Sequence, residues 1–138
     1  MKANELMIGN AVNYFSLEIM VTAIKPPYFV DLGTDGKTIV TNASIEFVSP
    51  IPITEEFLGK NGFVLDDDIE EITEEKFYLL KLDKFTITIH EGSNTIRRDW
   101  WIHIDNEDCC TIASADIQYV HQLQNLLSIM NIKFDIVL

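Results

Sequence analysis

The chain has 138 residues, 47% hydrophobic and 23% charged, with six Gly and four Pro, a composition that excludes collagen-like, low-complexity and wholly disordered proteins. A domain of this length buries roughly two-thirds of its unfolded surface and needs no disulfide staples. Ten Lys and Arg stand against 22 Asp and Glu, for a net charge of -12, which opposes the phosphate neutralisation behind nucleic-acid affinity and repels an anionic membrane. Direct nucleic-acid binding and membrane coating are therefore not expected.

No apolar run approaches the ~18 residues of a spanning helix. The start, Met1-Lys2-Ala3-Asn4-Glu5, lacks the basic and apolar regions of a secretory signal, so the expected location is cytoplasmic. From Ala11 the chain alternates short β-rich runs with turn signals: Ala11 to Phe15, Ile19 to Lys25, Tyr28 to Leu32 and Lys37 to Thr41, with Gly33-Thr34-Asp35-Gly36 as a hairpin turn and Pro26-Pro27 as an extended corner. Strands this short, with no helix between them, bury their faces by curling, which predicts a small SH3-like β-barrel lobe over residues 1–49.

At Ser49-Pro50-Ile51-Pro52 the pattern changes. Thr54-Glu55-Glu56-Phe57-Leu58 reads as a capped helix start with acids against the positive dipole end, stopped by Gly62 after about two turns. Seven acids then fall in ten residues: Asp66, Asp67, Asp68, Glu70, Glu71, Glu74 and Glu75. The run reads as a solvated, edge-protecting loop or a contact for a basic partner. Its spacing does not follow the D-x-[DN]-x-[DN]-G calcium loop. Strands are predicted for Phe77 to Leu82, Phe85 to His90, Thr95 to Ile104 and Cys109 to Ala113, then a helix from about Asp116 to Met130 and a last strand from Lys133 to Val137. Residues 50–138 thus read as an α+β lobe, an antiparallel sheet with one short helix and a C-terminal helix. The two lobes could equally form one compact unit.

Pairing of the Phe85 and Thr95 strands across Glu91 to Asn94 puts Phe85, Ile87, Ile89, Ile96, Trp100, Ile102 and Ile104 on a core face. The opposite face carries Thr86, Thr88, His90, Thr95, Arg97, Asp99, Trp101 and His103. Arg97, Trp101 and His103 bring a cation, an indole and an imidazole together, a trio suited to an anionic or planar ligand, or else a covered sheet surface. On the C-terminal helix, Tyr119, Val120, Leu123, Leu126, Leu127 and Met130 form the apolar stripe, opposite Gln118, His121, Gln124, Asn125 and Ser128. No residue from Ile117 to Ile132 is charged, so this amide-rich face is a candidate interface, covered by the chain itself or by a protein partner. A second copy of the chain is one such partner.

Catalytic and metal readings have little to stand on. Cys109 and Cys110 are adjacent, which disfavours a disulfide between them, and no CxxC or metal-ligand spacing surrounds them. GxSxG, HExxH, Walker and GxGxxG motifs are absent. No cofactor, metal or catalytic residue is predicted; a small hydrolase or transferase using His103 with Arg97 is the enzymatic alternative.

Three stretches carry a resemblance. Lys2-Ala3-Asn4-Glu5-Leu6-Met7-Ile8-Gly9-Asn10-Ala11-Val12, Pro50-Ile51-Pro52-Ile53-Thr54-Glu55-Glu56 with Gly62-Phe63, and Tyr119-Val120-His121-Gln122-Leu123-Gln124-Asn125-Leu126 resemble an uncharacterised family of small proteins of Bacteroides-type bacteria, their phages and mobile elements. Met7 and the Phe57-Leu58-Gly59-Lys60-Asn61 helix depart from the family's pattern. The resemblance implies a phage or mobile-element accessory protein and no particular activity. It also makes His121, Gln122, Gln124 and Asn125 the family's helical signature, either a site or an intramolecular clamp. The reading is thus a non-enzymatic protein that binds another macromolecule; an acidic DNA mimic that occupies a nucleic-acid-binding host protein is the alternative within the binding class.

Overall fold

A computed structural model describes residues 1–2, 5–67, 75–91 and 100–138. It is an α+β protein with two five-stranded antiparallel sheets. The chain divides into two compact units, residues 1–52 with 119–136 and 138, and residues 53–118 with 137.

In the first unit, β1 (Ala11–Tyr14), β2 (Leu17–Lys25), β3 (Phe29–Thr34), β4 (Lys37–Ser44) and β5 (Val48–Pro50) form a sheet in the order β4-β3-β2-β1-β5. Two tight hairpins set the register. Phe15 and Ser16, both with positive φ, join β1 to β2, and Asp35-Gly36, also with positive φ, join β3 to β4, the two-residue geometry that matches strand twist. Gly33 lies within β3 rather than in the turn, and a Cβ there would collide with the Lys37 carbonyl. Register shifts in β2–β3 and β3–β4 mark bulges, which bend the strands. Leu6, Val12, Ile19, Val21, Val30, Leu32, Ala43 and Val48 fill the core. Lys25 pairs with Asp31 at 2.8 Å, and Asp31 also accepts the Asn42 amide.

A 3-10 turn over Ile45–Phe47 separates β4 from β5. The sheet is open, with β4 and β5 as its edges, so the closed barrel expected for residues 1–49 is not formed by these strand pairings. Helix α2 (Val120–Ile129) lies along β1 in this same unit. The helix predicted from about Asp116 to Met130 starts instead at Val120, because Asp116 and Ile117 continue a strand, and it groups with the first unit.

In the second unit, Thr54 Oγ1 caps α1 (Glu55–Lys60) by accepting the Phe57 amide at 3.1 Å. Asn61 then closes the helix, donating Nδ2 to the carbonyls of Phe57 and Val137 and accepting the Val137 amide. Residues 133–138 form no strand; Val137 places its backbone hydrogen bonds on Asn61 instead of a ladder. The sheet is a meander in the order β10-β9-β8-β7-β6, built from β6 (Val64–Leu65), β7 (Phe77–Lys81), β8 (Phe85–Glu91), β9 (Trp100–Asn106) and β10 (Thr111–Ile117). Strict alternation buries Tyr78, Leu80, Ile87, Ile89, Trp100, Ile102, Ile104 and Ile117 on one face. Trp100 Nε1 donates to the Ile53 carbonyl at 3.1 Å, tying the approach to α1 to that face.

Candidate functional site

The amide-rich positions of α2 are spent largely inside the first unit. Gln124 Oε1 accepts the Ala11 amide at 2.8 Å, and its Nε2 donates to the Gly9 carbonyl at 3.1 Å. Asn125 Oδ1 accepts from Asn10 Nδ2 at 2.8 Å, while its own Nδ2 donates to the Glu5 carbonyl at 3.1 Å. Asn10 in turn accepts the Met7 amide. These bonds satisfy backbone groups that precede and open β1, as buried polar groups require. Residues 5–11 and the helix positions Gln124 and Asn125 therefore interlock.

His121 is the outlier of this helix. The wheel puts it on the polar face, yet it is only 3% exposed, with Glu5 and the Met1 amine near enough to act on its charge. Among the described residues its Nδ1 has no hydrogen-bond partner, and its ring stacks on Tyr119 with centroids 5.8 Å apart. Burial pushes its pKa below the ordinary value; Glu5 opposes this and the Met1 amine adds to it. A cavity of about 580 Å³ opens beside it, lined by Met1, Glu5, Pro50, Tyr119, His121, Gln122 and Asn125. Gln122 caps the helix by accepting the Tyr119 amide. Gln118 is half-buried and lies before the helix, and its carbonyl accepts the Ile53 amide within the second unit. Ser128 is exposed.

The second sheet presents a different surface. Opposite its core face stand Phe77, Leu79, Thr86, Thr88, His90, Trp101, His103, Asp105, Ser114 and Asp116. Four rings form a near-parallel row: Phe77 with His90 at 4.7 Å, His90 with His103 at 5.6 Å, and His103 with Trp101 at 6.1 Å, at interplanar angles of 28°, 8° and 15°. Trp101 is 40% exposed. Across the ladder it faces His90 on β8 and Asp116 on β10.

No family model, curated protein or solved structure matches the chain.

The structure thus joins Trp101 and His103, as the alternation predicts, and Arg97 lies outside the described residues. Residues 68–74 of the acidic run also lie outside them; Asp67 and Glu75 are exposed. Among the described residues no group of His, Cys, Asp and Glu has the arrangement of a metal site. Cys109 and Cys110 are exposed free thiols in the β9–β10 turn, where Asn106 Oδ1 accepts the amides of Asp108 and Cys110. Among the described residues no helix is long and apolar enough to cross a membrane.

Sequence reasoning missed Phe77 and Asp116 as members of the ring-bearing face. The predicted helix takes in Asp116, although Thr111-Ile112-Ala113-Ser114-Ala115-Asp116-Ile117 carries β-branched residues and alternates through to Ile117, which is buried.

Proposed function

We propose that this is a non-catalytic binding protein that engages a protein partner through the outer face of its second sheet. The row of Phe77, His90, His103 and Trp101 carries the reading. Large, rigid aromatic surface at low entropy cost is what interface centres are enriched in, and the competing surface on α2 spends Gln124 and Asn125 on the chain's own backbone and on Asn10. The net charge of -12 supports a protein partner over a nucleic acid. Resemblance of three stretches to small phage and mobile-element proteins of Bacteroides-type bacteria supports an accessory role inside such a cell.

For the first unit, the order β4-β3-β2-β1-β5 with a 3-10 turn before β5 supports an SH3-like reading, in which β5 returns to β1 and a strongly bent β2 is shared between two half-sheets. In that arrangement the unit is a scaffold, and recognition belongs to the second.

The test places a photo-crosslinking amino acid at position 101, 103 or 128 in host cells. Protein adducts at 101 and 103, absent at 128 and lost when the neighbouring His90 is changed to Ala, are expected. Equal adducts at all three positions, or adducts at 128 alone, would overturn the assignment.

A further inference from the structure

Resting on that reading of the sheet face, we infer that it recognises guanidinium groups, and that its partner presents an arginine-bearing, basic segment. Trp101 and Asp116 lie directly opposite one another in the β9–β10 ladder, which sets their Cβ atoms about 4.5–5.5 Å apart on the same face. An arginine laid flat over the indole therefore meets a π face with its plane and a carboxylate with its fork, the two surfaces this side chain matches best. Asp116 is exposed and, among the described residues, its carboxylate makes no hydrogen bond or ion pair, so its oxygens are open to an outside donor.

The neighbours extend the site along the strands. His103 continues the π surface from Trp101, and His90 flanks the indole on the side away from Asp116. Asp105, next along the face from His103, already accepts Thr111 Oγ1 with one oxygen at 2.6 Å, which orients the carboxylate for a second donor. Lys81 is the basic residue of this face among the described ones, and Thr86 on β8 stands between it and Asp105. The overall charge of -12 steers a basic segment toward the protein and repels an acidic one.

The probe is a short, flexible peptide with three arginines spaced by glycine, compared with its lysine counterpart and with single-stranded DNA. Binding is followed by NMR through the two indole N–H signals and by fluorescence anisotropy at two salt concentrations. The arginine peptide is expected to shift the Trp101 indole signal and the Asp116 amide, and to bind at least about threefold more tightly than the lysine peptide, because lysine offers no planar fork. Asp116→Asn should weaken it about fivefold and Trp101→Ala about tenfold, with Trp101→Phe between, while Glu18→Gln, which removes an exposed acid of the other unit, changes affinity less than twofold. Equal binding of both peptides, equal loss from Glu18→Gln and Asp116→Asn, or preference for DNA would overturn the guanidinium site. If that happens while the crosslinks at 101 and 103 persist, the contact surface stands without its arginine preference; loss of both removes the surface itself.

Discussion

Replacing Gln124 by Met tests whether α2 holds the first unit together by hydrogen bonding as well as by apolar contact. Methionine keeps the length and volume of the side chain, so no cavity opens. What disappears is the acceptor for the Ala11 amide and the donor to the Gly9 carbonyl. Each such bond contributes about 1 kcal/mol net, and an amide stranded in a buried place costs about 1–3 kcal/mol. Ala11 is 0% exposed, so its N–H has no route to water, whereas the region of the Gly9 bond is solvated. Gln124→Met should therefore cost about 2–4 kcal/mol, and Gln124→Glu, which retains the acceptor, about 1–2 kcal/mol. Ser128→Ala, on the same helix but exposed, should stay within about 0.5 kcal/mol of the parent. Urea unfolding followed by circular dichroism at 222 nm reads all three. A Gln124→Met variant as stable as Ser128→Ala would refute the reasoning, since it would mean that the clamp bonds are matched by water in their absence.

His121 gives a pH dependence whose sign is fixed by burial. Its folded pKa lies below the unfolded value of 6.5, so the unfolded chain takes up the proton first, and stability present above about pH 6.5 is lost as pH falls below it. His121→Phe should flatten stability against pH between 7.5 and 5.5; parallel curves for the two proteins would count against a buried neutral imidazole. Asp31, held below the usual carboxylate range by Lys25 and the Asn42 amide, acts at more acidic pH, where its protonation removes the stability that pairing supplies above its unfolded value of 3.8. The adjacent tryptophans should separate in fluorescence: Trp101→Phe leaves the buried Trp100, with blue-shifted emission and poor acrylamide quenching, and Trp100→Phe leaves the exposed Trp101, red-shifted and readily quenched. The second change also removes the bond to Ile53, at about 1 kcal/mol. The opposite ordering of the two emission maxima would contradict the register of β9.

Much of this architecture is legible in the chain because its signals are local. Asp35-Gly36 names its own hairpin, Thr54 its own cap, and the alternation through Phe85 to His90 and Trp100 to Ile104 sorts core from surface residue by residue. What could not be read is non-local. The uncharged face of α2 signalled that something covers it, but Asn10 and Asn125 are 115 positions apart, and no periodicity says that the cover is the opposite end of the chain. The short reach assigned to β10 had the same origin: without the pairing to β9, Asp116 and Ile117 fit a helix start as well as a strand. His121 shows the limit of the wheel, which sorts residues around one axis and knows nothing of a second flank.

The hydrogen bonds between Gln124, Asn125 and residues 5–11 also impose an order on synthesis. β1 leaves the ribosome early, yet the side chains that satisfy the Ala11 amide and Asn10 follow 113 and 115 residues later. At about 5–20 residues per second, the wait is roughly 6–23 s. Throughout it, the first strands exist without the helix that completes their hydrogen bonding, while residues 53–118 of the second unit are made. The strands translated first are thus completed late, and Asn61 of the second unit waits in the same way for Val137, 76 residues after it.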